Sequence, residues 1–135
     1  MPLTMQEYFN NTVQNILTSI NCIMKQLIIK IQDHDTLKGK EKNALGICYI
    51  DEKLITIDEF FVEECYKYFY LDIFSTWELG SGYTLEYVIC HELAHFSYER
   101  HGKKHTELTN RLLAKVGQPG KYYDYLHKKF KKQFK

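Results

Sequence analysis

Apolar residues recur at helical spacing from the start of the chain. Met5, Phe9, Ile16, Ile20, Ile23, Leu27 and Ile31 fall on one stripe, which predicts a long amphipathic helix over residues 4–32. Thr4 and Glu7 form a capping-box pattern at its start. Such a stripe needs a partner surface, so this helix is expected to cover the rest of the domain. Asp33–Asn43 is polar, contains Gly39 and reads as a loop. Ala44–Ile50 and Leu54–Ile57 then read as two short strands. Asp51-Glu52-Lys53 between them suits the connection of a hairpin.

Asp58 is placed to cap a helix running to about Leu71, with Phe60, Phe61, Cys65, Tyr68 and Phe69 on its buried side. Trp77–Gly82 reads as a loop. A second helix is expected from Tyr83 or Thr84, broken at Gly102 from a third over Lys103–Val116. Gly117 and Pro119 mark its stop. The tail, about residues 121–135, carries the pattern of a short basic amphipathic helix over Tyr122–Lys135. The whole is an α+β pattern of one domain's length, 135 residues.

Composition narrows the class. The chain is 44% hydrophobic and 26% charged, enough to bury a core, which argues against wholesale disorder. The apolar stretch Cys22–Ile31 is interrupted by Lys25, Gln26 and Lys30, so no segment is long enough to span a membrane. The first residues lack the basic and apolar regions of a secretory signal. Cys22, Cys48, Cys65 and Cys90 form no CxxC pair and sit among apolar residues. They read as reduced, buried thiols of a cytoplasmic protein.

Net charge is +1 but unevenly spread. Residues 1–99 hold 7 Lys/Arg and 15 Asp/Glu, a balance of −8; residues 100–135 hold 11 and 2, a balance of +9. Two readings of the basic segment stand: it packs across an acidic middle, or it meets an anionic partner such as DNA, weakly and without sequence preference.

The chemistry lies in His91-Glu92-Leu93-Ala94-His95. Positions i and i+4 share a helix face, so both imidazoles can reach one metal ion. Glu92 is placed beside it to act on the metal's water as general base. Zinc would lower that water's pKa to roughly 7 and polarise a substrate carbonyl. Leu85, Val88 and Ile89 would anchor the helix from its other face.

A catalytic zinc uses three protein ligands and keeps one position open. His101, six residues after His95 and just before Gly102, is the leading third ligand, with a helix ending near Arg100 and a turn at Gly102 swinging it back. The resulting HExxHxxxxxH has metzincin spacing. Tyr98 stands where that class has Gly, however, and no Met follows the motif. Glu107 is the carboxylate alternative. His105 is a third ligand, an oxyanion donor, a substrate contact or a packed residue behind the ligands.

The run VICHELAHFSYERHGKKHTEL, Val88 to Leu108, resembles the SprT-like zinc metallopeptidase domain and the related WLM and YgjP-like metallopeptidases. The strands around Leu45–Cys48 and Ile55–Ile57 resemble the pair upstream of that motif, so the resemblance covers about residues 44–117. It implies a zincin-like domain: a small sheet or hairpin, an active-site HExxH helix and flanking helices. It also implies one Zn2+ per chain on His91, His95 and His101, Glu92 as catalytic base, and a protein or peptide substrate inside the cell. Some members of that group digest proteins crosslinked to DNA. His105 stands where the pattern usually has an aromatic residue.

Two other functions remain open. One is a non-enzymatic module with a structural zinc closed by His91, His95, His101 and His105. The other is a nucleic-acid-binding protein with the metal as a fold element.

Overall fold

The structure, a computed structural model, describes residues 2–71 and 82–117. The proposed loop before Gly82 and the basic tail therefore lie outside the described residues, apart from Gly82 itself.

Helix α1 spans Met5–Ser19. Its start follows the capping box: the Thr4 hydroxyl accepts from the Glu7 amide at 3.1 Å, and the Glu7 carboxylate accepts from the Thr4 amide at 2.9 Å. Phe9 and Ile16 are its buried residues.

The expected helix over 4–32 does not form beyond that point. Asn21 takes a left-handed conformation, φ 54°. The Asn21 amide then donates to the Thr18 carbonyl and the Cys22 amide to the Leu17 carbonyl. These paired bonds close a helix end, and asparagine tolerates the left-handed position better than most residues. The stripe downstream has no helical role: Ile23 is 92% exposed.

After a second left-handed residue, Gln26, the chain enters strand β1, Ile28–Gln32. Its three β-branched isoleucines suit a sheet. Ile29 and Ile31 pack on the core, while Ile28 stays exposed.

Two short 3₁₀ turns, His34–Thr36 and Gly39–Asn43, carry the chain to strand β2, Gly46–Tyr49. Strand β3, Leu54–Asp58, follows in a hairpin. The sheet order is β1-β3-β2, with β1 parallel and β2 antiparallel to β3. Ile55 and Ile57 of the central strand are fully buried.

Helix α2, Glu59–Cys65, continues as a π-helical turn over Tyr66–Tyr70. Asp58 precedes it without capping it. Its carboxylate meets His34 Nδ1 at 2.9 Å instead, which ties the first 3₁₀ turn to the end of β3. Phe61, Cys65 and Tyr68 are buried as expected and Val62 joins them, whereas Phe69 is only partly buried and Phe60 is exposed and stacks on the His34 ring.

Helix α3, Leu85–Ala94, is capped by the Thr84 hydroxyl, which accepts from the Tyr87 amide. Leu85, Val88, Ile89, Cys90 and Leu93 are buried, in a core shared with Phe9 and Ile16 of α1 and Ile55 and Ile57 of β3. Helix α4, Lys103–Val116, packs against α3 and ends at Gly117 in the left-handed conformation. Among the described residues no helix is long and apolar enough to cross a membrane. All four cysteines are free thiols; Cys65 and Cys90 are buried, Cys22 and Cys48 only partly.

Candidate metal centre

Helix α3 has two working faces. Leu85, Val88 and Ile89 anchor it in the core, and His91 and His95 emerge one turn apart on the side facing β2. The helix does not run on to Arg100. It ends at Ala94, and the next amides tighten: His95, Phe96 and Ser97 donate to the carbonyls of Glu92, Leu93 and Ala94. That turn, made well before Gly102, carries His101 back over the helix. Gly102 itself is extended, φ −168°, and a side chain there would meet nothing, so it supplies no special turn.

His101 Nε2 lies 3.1 Å from His91 Nε2 and 3.1 Å from His95 Nε2. Tetrahedral zinc with nitrogens at about 2.05 Å would hold them roughly 3.3 Å apart, so the spacing fits one ion. The protonation pattern fits too. His95 Nδ1 lies 3.0 Å from the Tyr98 carbonyl, which can only accept, so Nδ1 carries the proton and Nε2 presents its lone pair. A single Nε2–H on His101 cannot serve both neighbours well; a cation satisfies all three. Burial, reinforced by the neighbouring imidazoles, holds His91 down to about 4. Burial also lowers His95. Both rings are thus neutral, as metal ligands must be.

His105 stands behind this group. It is 2% exposed, and its Nε2 donates to the His91 carbonyl at 2.9 Å. Its ring stacks on His95 at 4.1 Å and meets His91 edge-on at 4.4 Å. Only His91, His95 and His101 bring ligand nitrogens within 4.8 Å of one another among the described residues. Glu107 lies on the exposed side of α4 beside Lys103, outside that group.

Glu92 is 6% exposed; its Oε2 lies 3.9 Å from His91 Nε2, beyond hydrogen-bond distance. Burial pushes its carboxyl up to about 7. It borders a cleft of about 740 Å³, together with the three histidines, Ala44 to Cys48 of the β2 segment, Ile50, Asp51, Glu52, Tyr83, Tyr87, Val88 and Glu99. Among the described strands β2 lies at the edge of the sheet, alongside the cleft.

Sequence reasoning passed over Gly46. A Cβ there would sit 3.0 Å from Glu92 Cγ, 3.0 Å from Ile57 Cδ1 and 3.1 Å from Val88 Cγ1. The bare backbone of β2 is what allows Glu92 to lie against the strand. The available signal was a glycine inside a strand pattern, which often marks close approach. Tyr83 and Tyr87 were also missed. They stack at 4.7 Å along the cleft, Tyr87 one turn before His91.

No curated protein and no solved structure matches this chain. Residues 79–119, which hold the HExxH helix, His101 and α4, match the family described as YgjP-like, metallopeptidase domain.

Proposed function

We propose that this protein is a zinc-dependent metallopeptidase of zincin-like architecture that hydrolyses peptide bonds. The observation that carries the proposal is the convergence of His91, His95 and His101 on one open cleft beside a buried Glu92, whose Oε2 lies 3.9 Å from His91 Nε2. In this reading the three Nε2 atoms hold one zinc ion. When bound, zinc supplies a Lewis acid that acidifies water and polarises a carbonyl. Glu92 takes the proton of the attacking water and passes it to the leaving amine. The edge of β2 receives the substrate as an added strand, with its backbone paired and its scissile bond near Glu92. His105 fixes the His91 end of α3 and buttresses the His95 ring.

The geometry favours this over a structural zinc. A closed site needs a fourth ligand, and His105 spends its Nε2 on the His91 carbonyl. A closed site also has no use for a carboxyl at position 92, where burial makes it costly to ionise.

The test is Glu92→Gln. Zinc content should stay at one per chain, while cleavage of an unfolded protein should fall about a hundredfold or more, mainly in kcat. Undiminished cleavage by purified Glu92→Gln would refute the assignment. DNA association through the basic C-terminal segment is a separate proposal resting on the +9 balance of residues 100–135. Its test is binding that weakens steeply with salt and on neutralising Lys128, Lys129, Lys131 and Lys132.

A further inference from the structure

Among the described residues, the formally charged side chains that line the cleft are all acidic. Asp51 and Glu52, in the β2–β3 turn, and Glu99, in the turn that delivers His101, line it. Among the described residues no lysine or arginine lines it; Lys53 and Arg100 follow Glu52 and Glu99 in sequence but are not among its lining residues. All three carboxylates are exposed, and one such charge is weakly felt through solvent. Three of one sign on a concave surface act together, because a cleft focuses their field.

A second feature of the same cleft points to the same chemistry. The stacked rings of Tyr83 and Tyr87 form part of its wall, and aromatic faces attract ammonium and guanidinium groups. Glu92, 6% exposed, borders the same cleft, with its Oε2 3.9 Å from His91 Nε2 and no hydrogen bond among the described residues. Its neighbour β2 is an edge strand among the described strands and runs along the same opening.

We propose that this cleft selects extended polypeptide segments rich in lysine or arginine, over neutral or acidic ones. The inference rests on the peptidase reading for its setting, since it names the substrate class of that same site. The backbone of the segment pairs with β2, which is blind to sequence. Discrimination comes from the side chains. Cationic ones meet Asp51, Glu52 and Glu99 and lie on the tyrosine faces. Acidic ones meet like charge without a compensating partner, which is how specificity against a competitor arises.

The experiment measures binding and cleavage separately. Fluorescent peptides of one length and one central sequence carry lysine, arginine, glutamine or glutamate at the flanking positions. Binding is read by anisotropy on zinc-loaded Glu92→Gln protein, which should not cut them. The lysine and arginine peptides should bind at least tenfold tighter than the glutamine peptide at low salt, and the margin should shrink as salt screens the charges. Adding Asp51→Lys and Glu52→Lys, both in an exposed turn, should remove the margin while zinc content and Tm stay unchanged. Tyr87→Leu should weaken the arginine peptide by about twofold to fivefold.

Equal binding of all four peptides, or a cationic preference untouched by the double charge reversal, would overturn the proposal. Wild-type cleavage is scored independently. Cutting without charge preference removes the specificity and leaves the peptidase. Preferential binding without any cutting leaves the specificity and removes the peptidase.

Discussion

The α3–α4 pair and the α1–β1 segment are both amphipathic, both begin at a recognisable cap, and both pack on one core, yet they use polar groups differently. In α1–β1 the polar interactions serve the backbone: Thr4 and Glu7 open the helix, and Asn21 closes it. In α3–α4 the buried polar groups include His105, Thr109 and Glu92. Thr109 donates back to the His105 carbonyl within α4, and His105 donates across to the His91 carbonyl. Glu92 makes no such hydrogen bond among the described residues; His91 Nε2 lies 3.9 Å from its Oε2. The first region holds polar groups that stabilise the fold, the second one that the fold tolerates. Changes in the first should therefore alter stability and leave the site alone; changes in the second should do the opposite or couple the two.

The largest effect should come from the ligands. His91→Ala and His95→Ala should each remove most of the zinc, measured as metal per chain after dialysis. His101→Ala should weaken binding sharply, and Glu107→Ala should leave it unchanged. His105→Ala sharpens the comparison. It should cost stability through a lost buried hydrogen bond and a cavity, of the order of 2–4 kcal/mol, yet retain zinc when the folded protein is titrated at low temperature. Loss of zinc equal to that of His101→Ala, in folded protein, would favour a closed four-histidine site.

Next in size is the cost of Glu92 in the metal-free protein. Its folded carboxyl titrates near 7 against an ordinary value of 4.5, because burial penalises the charge. The folded state then holds the proton that the unfolded state has released. Stability should fall as pH rises from about 4.5 to 7, by up to about 3 kcal/mol from this group. The depressed His91 acts with opposite sign, adding stability as pH rises from about 4 to 6.5. Comparing wild type with Glu92→Gln cancels the histidine contribution. The metal-free variant should be the more stable above pH 7, and the advantage should vanish near pH 4. An equal Tm at both pH values would show that Glu92 is not strained by burial.

Gly46→Ala probes the contact between the two layers of the site. The new methyl would press on Glu92, Ile57 and Val88 at once. Overpacking of this kind costs roughly 1–3 kcal/mol. Here it should also lower turnover at unchanged zinc content, since Glu92 is the neighbour with room to move toward the cleft.

How much of this was legible in the sequence depends on what each signal rests on. The span of α4 follows from a helical period with Gly117 after it, and the hairpin from two alternating runs three residues apart; both depend on local chemistry. The histidine cluster was legible as far as i and i+4 on one helix. How His101 arrives was not, because the tightening after Ala94 comes from backbone bonds that no side chain announces. The roles of Gly46 and the tyrosine wall were hidden for another reason. Their meaning depends on β2 lying against α3, a long-range contact that a glycine in a strand hints at without naming its partner. The strand β1 was lost because a run of Leu27, Ile28, Ile29 and Ile31 satisfies a helical stripe as well as a strand, and its pairing with β3 decides.

The smallest expected effect settles where α1 stops. Asn21 is at φ 54°, where an alanine pays a steric cost of about 1–2 kcal/mol and a glycine none. If the helix ends there, Asn21→Ala should lower stability by about 1 kcal/mol, and Asn21→Gly should be neutral or slightly stabilising. If the helix ran on to residue 32, as the apolar stripe suggests, the order would reverse. Alanine would stabilise, glycine would cost about 1 kcal/mol, and helical circular dichroism would rise in Asn21→Ala. Zinc content and peptide cleavage should be the same in both variants, because Asn21 is not among the residues that line the cleft. The two substitutions thus read the helix end by the sign of a difference. A rise in both stability and helicity in Asn21→Ala would mean that residues 20–32 join α1 and that β1 does not pair with β3.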